Sequence, residues 1–160
     1  MISDTAIVGR GAKIHPLALI EDNVSIGDGS LIGPFCIVRA GASIGRQCSL
    51  TAYCEVRENV RIGDRTSFGS RCTISANAVI GSDVVIKYGF VLADTPDLEK
   101  NSEKTVGSIA DSVLIGANVT LMPGFSIGGN AVIGACSQVR SDVGPGEVWF
   151  GNPARFYKAR

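Results

Sequence analysis

The chain has 160 residues, 45% hydrophobic and only 6% aromatic, with 20 glycines, which suits one domain with an aliphatic core and frequent turns. Its 15 basic and 15 acidic side chains cancel, so it lacks the positive field that draws nucleic acid. Its apolar runs fall far short of the ~20 residues that span a bilayer, and MISDTAIVGRGA has no basic segment leading into an apolar one, so neither membrane insertion nor a signal peptide is expected and a cytoplasmic location follows.

A period of six governs what comes next. Stepping by six from Ile2, the chain reads Ile2, Val8, Ile14, Ile20, Ile26, Ile32, Val38, Ile44, Leu50, Val56, Ile62, Phe68, Ile74, Ile80, Ile86 and Leu92. The pattern resumes at Ile109, Ile115, Leu121, Ile127, Ile133 and Val139, for 22 matches in all. Two residues before each lies a second column, which from Ala6 to Val84 holds only Ala, Val, Ser, Thr and Cys. Inward residues two apart are the period of a strand. Aliphatics at strict sixfold spacing would instead spiral round an α-helix.

Each hexapeptide is therefore a short strand and a corner. Gly27, Gly45, Gly63 and Gly81 follow the aliphatic residue, where glycine's tolerance of angles that a Cβ forbids suits a corner. Asn23, Asn59 and Asn77 lie three before it, where a left-handed φ is expected. Three sides close a triangle of 18 residues, so 22 hexapeptides make about seven coils of an all-β parallel β-helix. At the ~4.8 Å strand spacing the prism stands roughly 35 Å tall. The period leaves the handedness open.

Four of the five cysteines lie in the small column, with Cys36, Cys54 and Cys72 each 18 apart and so stacked in consecutive coils. A buried thiol there acts as a small hydrophobe, and no Cys-x-x-Cys or Cys/His spacing marks a metal site. Cys136 is off the column. The one histidine, His15, falls at a corner in the first coil, where a surface role is expected. A single histidine also excludes the gamma-class carbonic anhydrases, which share this architecture but hold zinc through three.

The repeat is interrupted once. Residues 93–108 are polar and charged; Leu98 keeps the register and Lys104 breaks it. The segment forms either one irregular coil or a projecting loop, and an excursion this long on a regular scaffold is commonly functional. The β-helix proper is expected over 1–143, with a C-terminal tail over 144–160.

The run Val113–Gly124 (VLIGANVTLMPG), then Ile127-Gly128, Ile133-Gly134-Ala135 and the tail Gly151-Asn152-Pro153-Ala154-Arg155, resembles the C-terminal half of the hexapeptide-repeat acyltransferases. The repeat resemblance covers nearly the whole chain, and the Gly-Asn-Pro-Ala-Arg tail is its most specific part. It implies a left-handed β-helix, a homotrimer, and acetyl-CoA or another acyl-coenzyme A held between subunits, with no metal. It further implies that Ala117 and Ala135 line the pantetheine arm while Asn152 and Pro153 cover the nucleotide end. Relatives often carry Lys where this chain has Ser141. Arg140, Arg155 or Lys158 are then the groups left to meet the coenzyme phosphates, since guanidinium and ammonium groups suit that role.

Sugar O-acetyltransferases of this superfamily place a His before a Pro in the interrupting loop. Here Asp94-Thr95-Pro96 stands there, and Thr95 cannot act as a base. An amine acceptor needs none once neutral. The chain also resembles the N-acetyltransferases that modify amino groups of nucleotide-linked sugars in surface-polysaccharide synthesis, some of which work without a His. The resulting expectation is an amino-sugar N-acyltransferase: Asp94 orients the amine or takes its proton, Thr95 stands beside it, and Lys87 and Tyr88 face the sugar nucleotide. The alternatives are an O-acetyltransferase with another base, and a noncatalytic trimeric scaffold.

Overall fold

Hydrogen bonding between coils, not within them, builds this fold. The computed structural model describes residues 1–97, 99 and 103–160, so Leu98, whose register the sequence kept, lies outside the described residues. Two-residue strands at Ile7–Val8, Lys13–Ile14 and Leu19–Ile20 open the three sides. Each pairs in parallel with the strand 18 residues on: Ile7 with Ser25, Lys13 with Leu31, Leu19 with Ile37. Three sheets of six, nine and seven strands result. They form a left-handed parallel β-helix of about eight turns, counting the incomplete turns at either end. No helix occurs among the described residues, so none is long and apolar enough to cross a membrane.

Strands stay short because every sixth residue reverses the backbone. Asn23, Asn59 and Asn77 have φ of 56°, 57° and 65°, as their position required, and bulkier residues take the same corner role, Phe35 at 58° and Tyr53 at 55°. The glycines after the aliphatic column require a different explanation from the one their sequence suggests. Gly27, Gly45, Gly63 and Gly81 are not among the residues with positive φ. Coil stacking selects them: a Cβ on Gly27 would meet the Gly45 carbonyl carbon at 2.5 Å, and one on Gly63 would meet Ser82 Oγ at 2.5 Å.

The aliphatic column fills the axis, buried from Ile20 through Val139. In the small column the Ser30 and Thr66 hydroxyls donate to the carbonyls of Gly45 and Gly81, each at 2.8 Å, which satisfies polar groups that burial would otherwise penalise. The column also admits a large member, Phe90, fully buried next in line after Cys72. The small-column cysteines are core filler: the stacked Cys36, Cys54 and Cys72, and Cys48 on another side, are buried and free. The hydrogen bond with Cys54, together with burial, pushes the Cys36 thiol up, and burial does the same to Cys48. Those two thiols stay protonated, while the Cys54 hydrogen bond draws Cys72 the other way. Cys136 is exposed, at a corner with φ 59°.

The interruption adds no coil to the wall. Ile80 pairs with Ile109 and Leu92 with Leu121, each 29 positions on instead of 18, so eleven residues leave the wall with no coil inserted. The Thr105 N–H donates to the Asp94 carbonyl at 2.7 Å, closing the loop at its neck. Beyond it, Glu147–Gly151 continues the second side in parallel, and Ala154–Ala159 folds back antiparallel upon it.

Charges line two corners. Between the third and first sides Arg39 bridges Glu21 at 2.8 Å and Glu55 at 3.1 Å, and Arg57 turns to Glu58 at 3.1 Å. Between the first and second sides Arg65 clasps both oxygens of Asp83, at 2.7 and 2.9 Å. Asp64 accepts from the Arg46 N–H at 2.8 Å.

Truncating Ile62 to Ala is expected to cost about 2–5 kcal/mol, and Cys54→Ala much less, because the small column takes Ala elsewhere; chemical denaturation of both variants measures the contrast, and equal losses would refute the column assignment. Asp64 and Asp83 titrate below the usual carboxylate range, Asp64 chiefly through the Arg46 N–H and Asp83 through Arg65. Their stabilisation is complete above the unfolded value near 3.9 and is lost as pH falls through the lower folded values. The melting temperature should therefore decline in acid below about pH 4, and less so in Asp83→Asn.

Candidate active site

Eighteen-residue stacking sorts the chemically interesting residues onto two corners. At the corner between the second and third sides, backbone bonds from Lys87 N–H to Ile115 and from Gly116 N–H to Ile133 put Lys87, Gly116 and Gly134 in one column. Asn118 N–H to Tyr88 and Cys136 N–H to Ala117, both carbonyl-accepted, put Tyr88, Ala117 and Ala135 in the next. Asn152 and Pro153, joined by a cis peptide, lie at the end of these columns. Arg155 is the second residue of the returning strand and is exposed, its guanidinium donating to the Ala154 carbonyl at 3.1 Å.

Small residues keep this corner open. The outward side chains of Val85, Leu114 and Val132 floor an apolar groove on the second side, with Lys87 and Ala135 on its rim. A Cβ on Gly116 would meet the Ala135 nitrogen at 2.5 Å, and one on Gly134 would meet the Phe150 Cβ at 2.8 Å. The groove suits an alkyl-amide chain lying against backbone and small side chains. Across the corner, Tyr88, 59% exposed, shares a second depression with Arg71 and Asn118. Neither Arg71 nor Asn118 stood out in the sequence; counting back 18 from Gly89, and 29 on across the loop, would have found them.

At the corner between the third and first sides lie Asp94, the loop and Arg140. The Ala93 N–H bonds to the Leu121 carbonyl and the Met122 N–H to that of Val139, so Arg140 stands two coils beyond Ala93 in its column. Asp94 is held at both carboxylate oxygens. The Thr95 hydroxyl donates to Oδ1 at 2.9 Å, and Lys104 Nζ lies 3.3 Å from Oδ2. The Asp94 side chain is 17% exposed and that of Lys104 62%. The sequence marked Lys104 only as a break in register; nothing in the repeat foretold that the loop would bring it back to Asp94.

Asp94 and Thr95 are thus brought together, as are Lys87, Tyr88, Ala117 and Ala135, but the two groups sit on different corners. His15 is exposed in the first coil, its Nδ1 accepting from the Leu17 N–H at 3.1 Å, four coils from the loop. Among the described residues no group of three His, Cys, Asp or Glu is placed to hold a metal.

Comparison with known proteins gives the family. Residues 1–96, more than half of the chain, match the GMPPB C-terminal domain, and residues 108–137 match the hexapeptide repeat of succinyl-transferase. The chain belongs to the GMPPB C-terminal domain family, and it resembles the hexapeptide-repeat acyltransferases. A probable macrolide acetyltransferase of Lysinibacillus sphaericus is 44% identical over 66 residues, 41% of this chain and 37% of that protein. A galactoside O-acetyltransferase of Escherichia coli is 39% identical over 83 residues, 48% of this chain and 41% of that protein. The chain thus spans less than half the length of the curated relatives it matches. Among solved structures, the N-acyltransferase AntD of Bacillus cereus, in complex with dTDP and coenzyme A, matches 97% of this hexapeptide-repeat chain and 84% of its own, with 25% identity and a TM-score of 0.58.

Proposed function

We propose that the protein transfers an acetyl or other acyl group from acyl-coenzyme A to the amino group of a nucleotide-linked amino sugar, as a cytoplasmic homotrimer in surface-polysaccharide synthesis. The observation that carries this reading is the carboxylate of Asp94. It is largely buried, fixed by a hydroxyl on one oxygen, and already paired with an ammonium on the other. A carboxylate so placed can hold an amine and collect its proton, whereas an alcohol needs a general base tuned near the operating pH to take its proton in the transition state. The only histidine is four coils away. AntD, an N-acyltransferase crystallised with dTDP and coenzyme A, supports the same substrate class.

In this scheme the apolar groove at Val85, Leu114 and Val132, with Ala117 and Ala135, receives the pantetheine arm; Asn152 and Pro153 flank its nucleotide end. Arg140 and Arg155 meet phosphates, and Lys87 and Tyr88 meet the sugar nucleotide. Acyl-coenzyme A supplies the activated thioester carbonyl. Asp94 holds the incoming amine and takes its proton as the nitrogen becomes neutral or after it has attacked, while Thr95 keeps the carboxylate turned towards it. The groove and Asp94 occupy different corners, so the complete site needs two subunits, and a closed threefold ring provides three equivalent ones.

Coenzyme A thiol release against a panel of nucleotide amino sugars, with hydroxyl sugars as controls, tests the reaction. Turnover should appear with amines, rise with pH and level off once the amine is neutral. Asp94→Asn should lose ~10²–10⁴-fold, Thr95→Ala less, and His15→Ala almost nothing; a large loss in His15→Ala with folding intact would overturn the scheme, and ester formation on the controls would replace it with O-acylation. Sedimentation should give a trimer, and a fully active monomer would rule out a site shared between subunits.

A further inference from the structure

We propose that Lys104 is a site of self-acylation: its amine occupies the acceptor's place beside Asp94 and takes the acyl group when no acceptor is bound. The inference rests on the reading of Asp94 as the group that receives the acceptor amine. Given that reading, the position an incoming ammonium would take at Oδ2 is the position Lys104 Nζ holds at 3.3 Å. The two partners are held unequally. Asp94 is fixed by the Thr95 hydroxyl on its other oxygen and by the Thr105 N–H on its carbonyl. Lys104 reaches it on a flexible four-carbon stem whose side chain is 62% exposed. An ion pair whose lysine end lies mostly in solvent holds that lysine weakly, so a substrate amine can displace Lys104. In the absence of one, the lysine remains, among the described residues, the nucleophile of the same chemical class beside Asp94.

The step balances without a further reagent. Lys104, once neutral, adds its nitrogen lone pair to the carbonyl carbon of the acyl-coenzyme A thioester. The C–S bond then breaks, an amide C–N bond remains, and the nitrogen's proton passes by way of the Asp94 carboxylate to the departing thiolate. Only the neutral amine carries the attacking lone pair, so the reaction should quicken as pH rises. Acylation would remove the charge that faces Asp94 and leave the carboxylate open to the acceptor.

The test is to incubate the whole protein with acetyl-CoA and no acceptor, then follow its mass and map the modified lysine over time. One acetyl increment should appear at Lys104 ahead of Lys13, Lys87, Lys100 and Lys158, saturate with acetyl-CoA, and be suppressed by a nucleotide amino sugar. Asp94→Asn should slow that adduct by about 10²-fold without slowing the background at the other lysines. Lys104→Arg, which keeps a cation beside Asp94, should give none. Modification of Lys104 no faster than its fellows, or unaffected by Asp94→Asn, would overturn the proposal. Coenzyme A release with acceptor present, measured in parallel, separates the two failures: turnover without a Lys104 adduct defeats the lysine inference alone, whereas neither turnover nor adduct defeats the acyltransfer reading with it.

Discussion

Everything in this molecule hangs on the parallel backbone ladder between one coil and the next. Each side offers only two strand residues per coil, so hardly any hydrogen bonding lies within a coil, and cohesion comes from bonds such as Gly27 N–H to Ile44 and Gly45 N–H to Ile62, at 2.8 and 2.9 Å. That constraint holds neighbouring coils at strand spacing along their whole perimeter, corners included. A corner residue must therefore leave room for the one stacked on it. The wall tolerates a side chain pointing outward or inward, but not one pointing along the axis. Gly27, Gly45, Gly63 and Gly81 answer to that restriction and not to any need for unusual φ.

The same ladder explains why an eleven-residue excursion leaves the fold undisturbed. Residues can exit only at a corner, and must return where the next strand can resume pairing. Ala93 still bonds to Leu121 and Ser108 pairs with Val79, so the register on all three sides advances by a common 29 and no sheet is broken. Phe90, the large member of an otherwise small column, is buried two residues before the strand end at Leu92 from which the chain departs. The bond from the Thr105 N–H to the Asp94 carbonyl closes the neck at the wall and leaves the core behind it shut.

How much of this was legible in advance follows from what a period encodes. Sixfold spacing of Ile, Val and Leu gave the number of sides, the inward columns, the stacked cysteines and the left-handed asparagine corners, because burial writes itself on every repeat. It did not give the hand of the coil, which depends on backbone chirality and not on spacing. It misassigned the reason for the corner glycines, since close approach and positive φ both favour the same residue. Whether the interruption formed a coil was equally hidden: Leu98 kept the phase in the sequence, and only the pairing of Ile80 with Ile109 decides it. The candidate site was half legible. Asp94 and Thr95 stood out by position beside Pro96, whereas Lys104 belongs to a segment with no period and acquires its meaning only through the contact it makes.

That division into repeat and non-repeat bears on how catalysis would work here. The columns place Tyr88, Ala117 and Ala135 on one corner and Asp94 on another, separated by a whole side of six residues, up to roughly 20 Å if extended. A group that takes a proton must come within about 3 Å of it. One protomer therefore cannot bring its own groove to its own carboxylate by adjusting side chains, and a rigid ladder forbids moving the corners. On the proposed reading the neck of the loop presents the Asp94 carboxylate to the groove of a neighbouring copy. On that reading the scaffold supplies precision through backbone register, and the carboxylate that receives the amine sits where the chain has just left the repeat.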